Sequence, residues 1–187
     1  MRAPGRPRAR LPLLPSLLAV ALSSVLAGGG AAAPPGEEGW VELEATWTAT
    51  GRRHTLRAGS REAAIFRLSG AFVVSRGDGL RKGFRAEAIA YDAGAGSGLG
   101  TMVLTDDRGD QVFCDLVGST SGKGRVIVGT VTGGSGSYAG IEGTFSFRWE
   151  HLVVTEGDEV QGIAVGLTGR YRRPPAGSAP PGPEAPR

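Results

Sequence analysis

Aromatic residues and a histidine share one spacing in a segment near the C-terminal end of the chain. Phe145, Phe147, Trp149 and His151 occupy every second position, so in an extended strand their side chains lie on one face. Such a face forms either a packed core with the histidine at its wet end or the wall of an apolar cavity with the histidine as a polar contact. The spacing is compatible with both interpretations.

Tyr91 is the other candidate polar contact, because it follows Ile89 by two residues and therefore shares its strand face. The only cysteine, Cys114, lies in an apolar run typical of a strand. We interpret it as a buried and inert thiol, since a nucleophilic cysteine needs a nearby base and a lowered pKa. The sequence thus supplies no catalytic set. The predicted ligand-binding residues are Phe145, Phe147, Trp149, His151 and Tyr91.

The remaining polar residues show no metal-ligand pattern. His54 follows two arginines in a polar stretch and is interpreted as a solvated loop residue, far in sequence from the second histidine. Asp106, Asp107 and Asp110 lack the spaced acids, central glycine and terminal glutamate of an EF-hand loop, so they predict a solvated turn. We therefore predict no metal and no cofactor.

The elements that must position these residues are strands. From Val41 to Trp47, apolar residues alternate with polar ones, which is typical of a half-buried strand. Short turns rich in Asp and Gly separate the strand-like segments and favour hairpins. Because nearly every connection is short and sequential, we predict an all-β fold, an antiparallel up-and-down β-barrel of about eight strands. The further predicted strands are 62–75, 83–92, 99–105, 111–117, 125–132, 144–155 and 160–171.

A glycine-dense segment, 133–143, precedes the aromatic strand. Glycine permits positive φ and close backbone approach, while Tyr138 and Ile141 supply the apolar contacts that would hold this loop against the sheet. A second glycine run, 94–100, is followed by neither a helix nor a lysine and therefore predicts a hairpin loop instead of a phosphate site.

Three stretches resemble the barrel family of allene oxide cyclase and the dirigent proteins, and in particular its small secreted bacterial members. They are 105–113, 128–134 and the loop 136–140 with 143–145 after it. With the strand order, the likeness spans roughly 62–171. The resemblance implies a calycin-like barrel whose apolar cavity guides a reaction by confinement. Allene oxide cyclase closes a fatty-acid epoxide into a ring, assisted by an acidic residue and a water, and dirigent proteins steer phenolic intermediates. The matching stretches are structural, so no catalytic role comes with them.

The N-terminal segment has the three parts of a secretory signal peptide. Four arginines precede an apolar run, 11–27, that ends in small residues. We predict a signal peptide over 1–27, with an uncleaved anchor as the alternative, a Gly/Ala/Pro linker over 28–39, the barrel over 40–171 and a disordered Pro-rich tail over 172–187. The mature protein is expected to be secreted or periplasmic, without stable membrane insertion.

Cleavage of the signal peptide would leave 17 basic against 18 acidic side chains, a net charge of −1, which argues against nucleic acid as a partner. The leading functional interpretation is an exported barrel that is not a classical enzyme and that binds a small apolar ligand or associates with copies of itself. A cyclase or isomerase acting on a lipid-like or phenolic substrate is the alternative. A structural surface module, with Trp40 and Trp47 as interface aromatics, is the third.

Overall fold

The structure is a computed structural model that describes residues 39–94, 96–121, 124–154 and 158–174. The predicted signal peptide, the linker up to residue 38 and the tail beyond residue 174 lie outside the described residues. The strands are β1 (Val41–Ala58), β2 (Arg61–Arg76), β3 (Gly83–Asp92), β4 (Ser97–Thr105), β5 (Gln111–Ser121), β6 (Gly124–Gly134), β7 (Glu142–Val154) and β8 (Glu159–Arg172).

These eight strands form a closed antiparallel barrel in sequence order, with β8 paired to β1, so the predicted all-β up-and-down barrel is confirmed. Closure gives every strand two neighbours and leaves no free sheet edge. β8 includes Arg172, which was predicted to begin the tail, because this residue pairs with Glu142 of β7 both in the backbone register and through its side chain.

Alternation along β1 decides which side chains enter the barrel. Leu43, Ala45, Trp47 and Ala49 are buried, and the polar residues between them are exposed. Trp47 is only 2% exposed, so its predicted role as an interface aromatic is wrong. Its position in the alternation places it on the inner face. Trp40, just before β1, instead contacts the Arg170 and Arg172 guanidinium groups, which lie 4.8 and 5.0 Å from its ring centroid.

β1 continues ten residues beyond Thr48 and pairs with β2 as far as Ala58 and Arg61. His54 therefore lies in a strand on the outer face, and its assignment to a loop is wrong. The β1–β2 hairpin provides the backbone hydrogen-bond partners that a solvated loop would lack, and alternation continues through this polar stretch, since Arg53 and Thr55 are partly buried while Arg52 and His54 are exposed.

The glycine-dense segment closes one end of the barrel, which we call the closed end. A short 3₁₀ helix, Gly136–Tyr138, directs the Tyr138 ring inward to 5.7 Å from the Phe84 ring, and Ile141 is buried beside it. The prediction that Tyr138 and Ile141 hold this loop against the sheet is confirmed. A gap of about 20 Å³ lies within the packing here.

Asp106 anchors the same end. Its carboxylate accepts hydrogen bonds from the Tyr138 hydroxyl at 3.0 Å and from the backbone N–H groups of Arg108 and Asp110 at 2.8 and 3.0 Å. Desolvation opposes ionisation of Asp106, but these donors hold its pKa below the usual range. Burial and the Asp106 charge raise the pKa of Tyr138 to about 12. Asp106 thus organises the turn from a buried position, which corrects the prediction that this turn is solvated.

Candidate ligand cavity

The opposite end of the barrel contains a cavity of about 360 Å³, within the size range of small-molecule sites. It lies where the β1–β2, β3–β4, β5–β6 and β7–β8 hairpins connect, and seven of the strands contribute to its wall. We refer to this as the cavity end.

Small residues create the space on one side. Ala88 and Ala90 of β3, Gly98 and Gly100 of β4 and Gly118 of β5 line the cavity, and we call them the small-residue wall. On the same inner faces, the closed end carries Phe84, Met102 and Val112. Side-chain volume therefore falls along these three strands towards the cavity end, and the barrel interior is filled at one end only.

Aromatic residues form the facing side, which we call the aromatic wall: Trp47, Phe66, Phe147 and Trp149. The Trp47 ring centroid lies 5.1 Å from that of Trp149 and 6.1 Å from that of Phe147. Gly162 of β8 positions the Trp149 ring, because a Cβ at this glycine would lie 2.3 Å from Trp149 Cζ2. The ring thus occupies the place of the missing side chain. Phe66 and Trp149 are the partly accessible rings of this wall, whereas Trp47 and Phe147 are almost completely buried behind them.

Charged and titratable groups gather at the rim. Arg125 of β6 and Asp92 of β3 form an ion pair at 2.7 Å, and the hydrogen bond from Arg125 is the main reason that the pKa of Asp92 is lowered. His151 lies beside Phe66 and Trp149, with ring centroids 6.4 and 6.1 Å away. Burial, followed by the positive charges of Arg53 and Arg125, lowers the pKa of His151, so the imidazole is neutral at pH 7.

The structure brings together four of the five predicted ligand-binding residues. Phe147, Trp149, His151 and Tyr91 line the cavity. Phe145 shares their strand face but lies deeper, at the closed end, with its ring stacked on Phe147 at a centroid separation of 6.2 Å. Phe145 therefore packs against the aromatic wall through Phe147 without lining the cavity itself.

Tyr91 lies at the rim, but its side chain belongs to the outer face of β3 and is 49% exposed. The inner positions beside it are Ala90 and Asp92. Ile89 is likewise exposed, because the face that carries Ile89 and Tyr91 also carries the ion-paired Arg85. Ile89 and Tyr91 thus lie on the outer face of β3, and Tyr91 contributes to the cavity from its rim.

Apart from Tyr91, sequence reasoning missed the cavity residues that lie outside the aromatic strand, including Trp47, Arg53, Asp92, Arg125 and the small-residue wall. One signal was present in the sequence: Ala86, Ala88 and Ala90, then Gly98 and Gly100, recur at every second position and mark an inner face with little volume. The rim charges gave no comparable signal, because their grouping depends on which strands are adjacent.

Cys114 is 1% exposed at the closed end, and desolvation raises its pKa to about 12. Within the described ranges, no group of three or more His, Cys, Asp or Glu side chains has a geometry that would hold a metal ion. None of the described segments is a helix with the length and hydropathy needed to cross a bilayer.

Fold and site together define a closed eight-stranded antiparallel barrel with a filled end and an apolar cavity at the other. Comparison with protein-family models, with curated proteins and with solved structures finds no match for this chain. The resemblance to allene oxide cyclase and the dirigent proteins stays a prediction.

Proposed function

We propose that this protein is an exported barrel that binds a small, largely apolar ligand in its end cavity. The observation that carries the proposal is the cavity of about 360 Å³ between the aromatic wall and the small-residue wall. A concave apolar surface with a few polar groups at one side is the usual form of a small-molecule site. Export is the part of the proposal that rests on the arginine-rich, apolar N-terminal segment.

Catalysis by confinement receives less support. Asp92 is the one acid among the described residues that line the cavity, and its carboxylate is already paired with Arg125. A general acid or base needs an available proton site within reach of the substrate, and the His151 imidazole, which is such a site, is exposed at the rim. The binding function therefore ranks above the cyclase or isomerase alternative.

Binding can be tested with N-phenyl-1-naphthylamine, a neutral apolar dye whose emission rises in apolar surroundings. We expect saturable emission and energy transfer from Trp47 and Trp149, which line the cavity. Ala90→Leu enlarges one member of the small-residue wall, so its side chain takes up cavity space and should weaken dye binding. Ala71→Leu, the same change at an exposed position on β2, is the matched control and should bind normally. Absence of saturable binding to the wild-type protein would contradict the proposal.

Association with a second copy is a further candidate function, favoured by a row of exposed apolar residues. Their direct cross-strand pairing makes one continuous outer belt across β2 to β6, about 19 Å wide at the usual strand spacing. Exposed apolar patches of this kind mark interaction surfaces. The outer belt consists of Ile65, Tyr91, Leu99, Val117 and Val128.

Sedimentation or light scattering would test this candidate. We expect the wild-type protein in solution to have a mass of at least twice the mass of one chain. Val117→Lys, within the outer belt, should lower that mass, whereas Thr48→Lys, on the outer face of β1 away from the belt, should not. A monomeric wild-type protein at high concentration would exclude self-association.

A further inference from the structure

Three buried side-chain polar atoms have no hydrogen-bond partner within the described structure, and all three belong to β1. They are the Trp47 indole Nε1, the Arg53 Nε and the Thr55 Oγ1. Their odd numbers place them on the strand face that carries Ala45 and Ala49, which is the inner face. Trp47 and Arg53 also line the cavity. Buried polar groups are nearly always paired, so this concentration on one face needs a physical reason.

Two of the three groups can only donate. An indole N–H and a guanidinium have no acceptor atom, and an unpaired buried donor is costly. Only a hydrogen-bond acceptor can therefore complete the Trp47 and Arg53 nitrogens. Thr55 lies two residues beyond Arg53 on the same face but does not line the cavity, and its hydroxyl can either donate or accept.

The charges around the cavity also leave one positive group uncompensated. Arg125 is paired with Asp92, and His151 is neutral at pH 7. Among the described residues, no ion pair or side-chain hydrogen bond reaches Arg53. A single guanidinium beside an apolar cavity favours a ligand with one negative charge over a neutral ligand or a dianion.

We propose that the cavity binds an organic monoanion with a flat apolar body, whose carboxylate or sulfonate is held by Arg53. The body lies against the aromatic wall, where the partly accessible rings of Phe66 and Trp149 favour an aromatic ligand. The guanidinium provides paired N–H donors that match two oxygens of such a group. This inference rests on the proposed function, because it specifies the ligand class of the same cavity.

The experiment compares 2-naphthoate with its neutral near-isostere 2-naphthamide, each displacing N-phenyl-1-naphthylamine from the full-length mature protein at pH 7.5. We expect naphthoate to bind at least about ten-fold more tightly than naphthamide, because only the anion neutralises the Arg53 charge and offers the guanidinium two acceptor oxygens. In Arg53→Met, which keeps the length and apolar stem of the side chain, this preference should disappear while dye binding persists.

Arg52→Met provides the matched control, because Arg52 is the neighbouring arginine on the outer face of β1. It should retain the naphthoate preference, and Arg53→Lys should retain part of it. Persistent dye binding in Arg53→Met would show that the variant is folded, and circular dichroism provides a second check on folding.

Equal affinities of the wild-type protein for naphthoate and naphthamide, with the dye still bound, would overturn the anion inference and leave the proposed function intact. Failure of the dye and both naphthalenes to bind would overturn both. Decanoate forms a further arm: if it displaces the dye as well as naphthoate does, the preference for a flat body is wrong and only the anionic group stands.

Discussion

His151 shows how one side chain reports on the cavity rim. It is exposed at the end of the aromatic strand, yet Phe66 and Trp149 lie against its ring. Arg53 on β1 and Arg125 on β6 add positive charge, and the Asp92 carboxylate is paired with Arg125. Burial and the two cations act in the same direction, against the imidazolium form. The protonation state of His151 is therefore a measure of the electrostatics that a ligand would meet.

We predict that NMR titration gives His151 a pKa below about 6.5, the value of an unperturbed histidine. Arg53→Gln should raise this pKa, because it removes one of the two positive charges. A pKa at or above the unperturbed value in the wild-type protein would contradict the arrangement of the rim. The resonance can be assigned with His151→Asn.

The same shift predicts how stability depends on pH. As the pH falls below about 6.5, the unfolded chain binds the proton first. The free energy of unfolding should therefore decrease between that pH and the lower pKa of folded His151, and then stop changing on its account. Urea unfolding should show this step in the wild-type protein and in the outer-face control His54→Asn, but not in His151→Asn.

At the scale of elements, the loop between β6 and β7 determines that one end of the barrel is closed. Its Gly136 has a φ of +55°, and a Cβ there would lie 1.9 Å from Asp110 Oδ1. Asp110 accepts hydrogen bonds from the Ser137 backbone N–H at 3.0 Å and from its hydroxyl at 2.7 Å. The glycine is thus required both by the backbone conformation and by the close approach of the carboxylate.

We expect Gly136→Ala to lower the free energy of unfolding by about 2–3 kcal/mol, because it adds left-handed backbone strain and displaces Asp110. Gly109→Ala is the matched control: its φ is +88°, but nothing lies within 4 Å of the new Cβ. It should cost only the strain, about 1–2 kcal/mol. Equal losses in urea unfolding would show that the Asp110 contact contributes nothing.

For the whole molecule, closure of the barrel makes stability cooperative. Each strand is paired on both sides. Separating any one strand from the folded rest therefore breaks two sets of backbone hydrogen bonds. Cys114 is the natural probe of this property, since it is the only cysteine, lies on the inner face of β5 and is buried.

We predict that an aromatic disulfide reagent does not modify Cys114 in the native protein at pH 8, because burial both blocks access and raises the thiol pKa to about 12. With added urea, the modification rate should follow global unfolding. A second thiol introduced by Thr46→Cys, on the exposed face of β1, should react immediately. Rapid modification of Cys114 without urea would show that β5 opens locally.

The fold followed from local information because a period of two, turn residues and short connections act between residues close in sequence. Eight strands, their order and the anchoring of the loop by Tyr138 were all accessible in this way. Part of the site was accessible for the same reason, since Phe147, Trp149 and His151 share one strand.

The rest of the site depends on which face of each strand turns inward and on which strands meet. Periodicity shows that Ile89 and Tyr91 share a face, but only the closed barrel turns that face outward and directs Arg53 inward. The ion pair between Asp92 and Arg125 joins β3 to β6 across the rim. The sequence by itself thus determined the barrel and its closed end through short-range patterns. The cavity, its aromatic and small-residue walls and its unpaired arginine were decided by tertiary structure, because they arise from side chains far apart in the chain that meet only when the sheet closes.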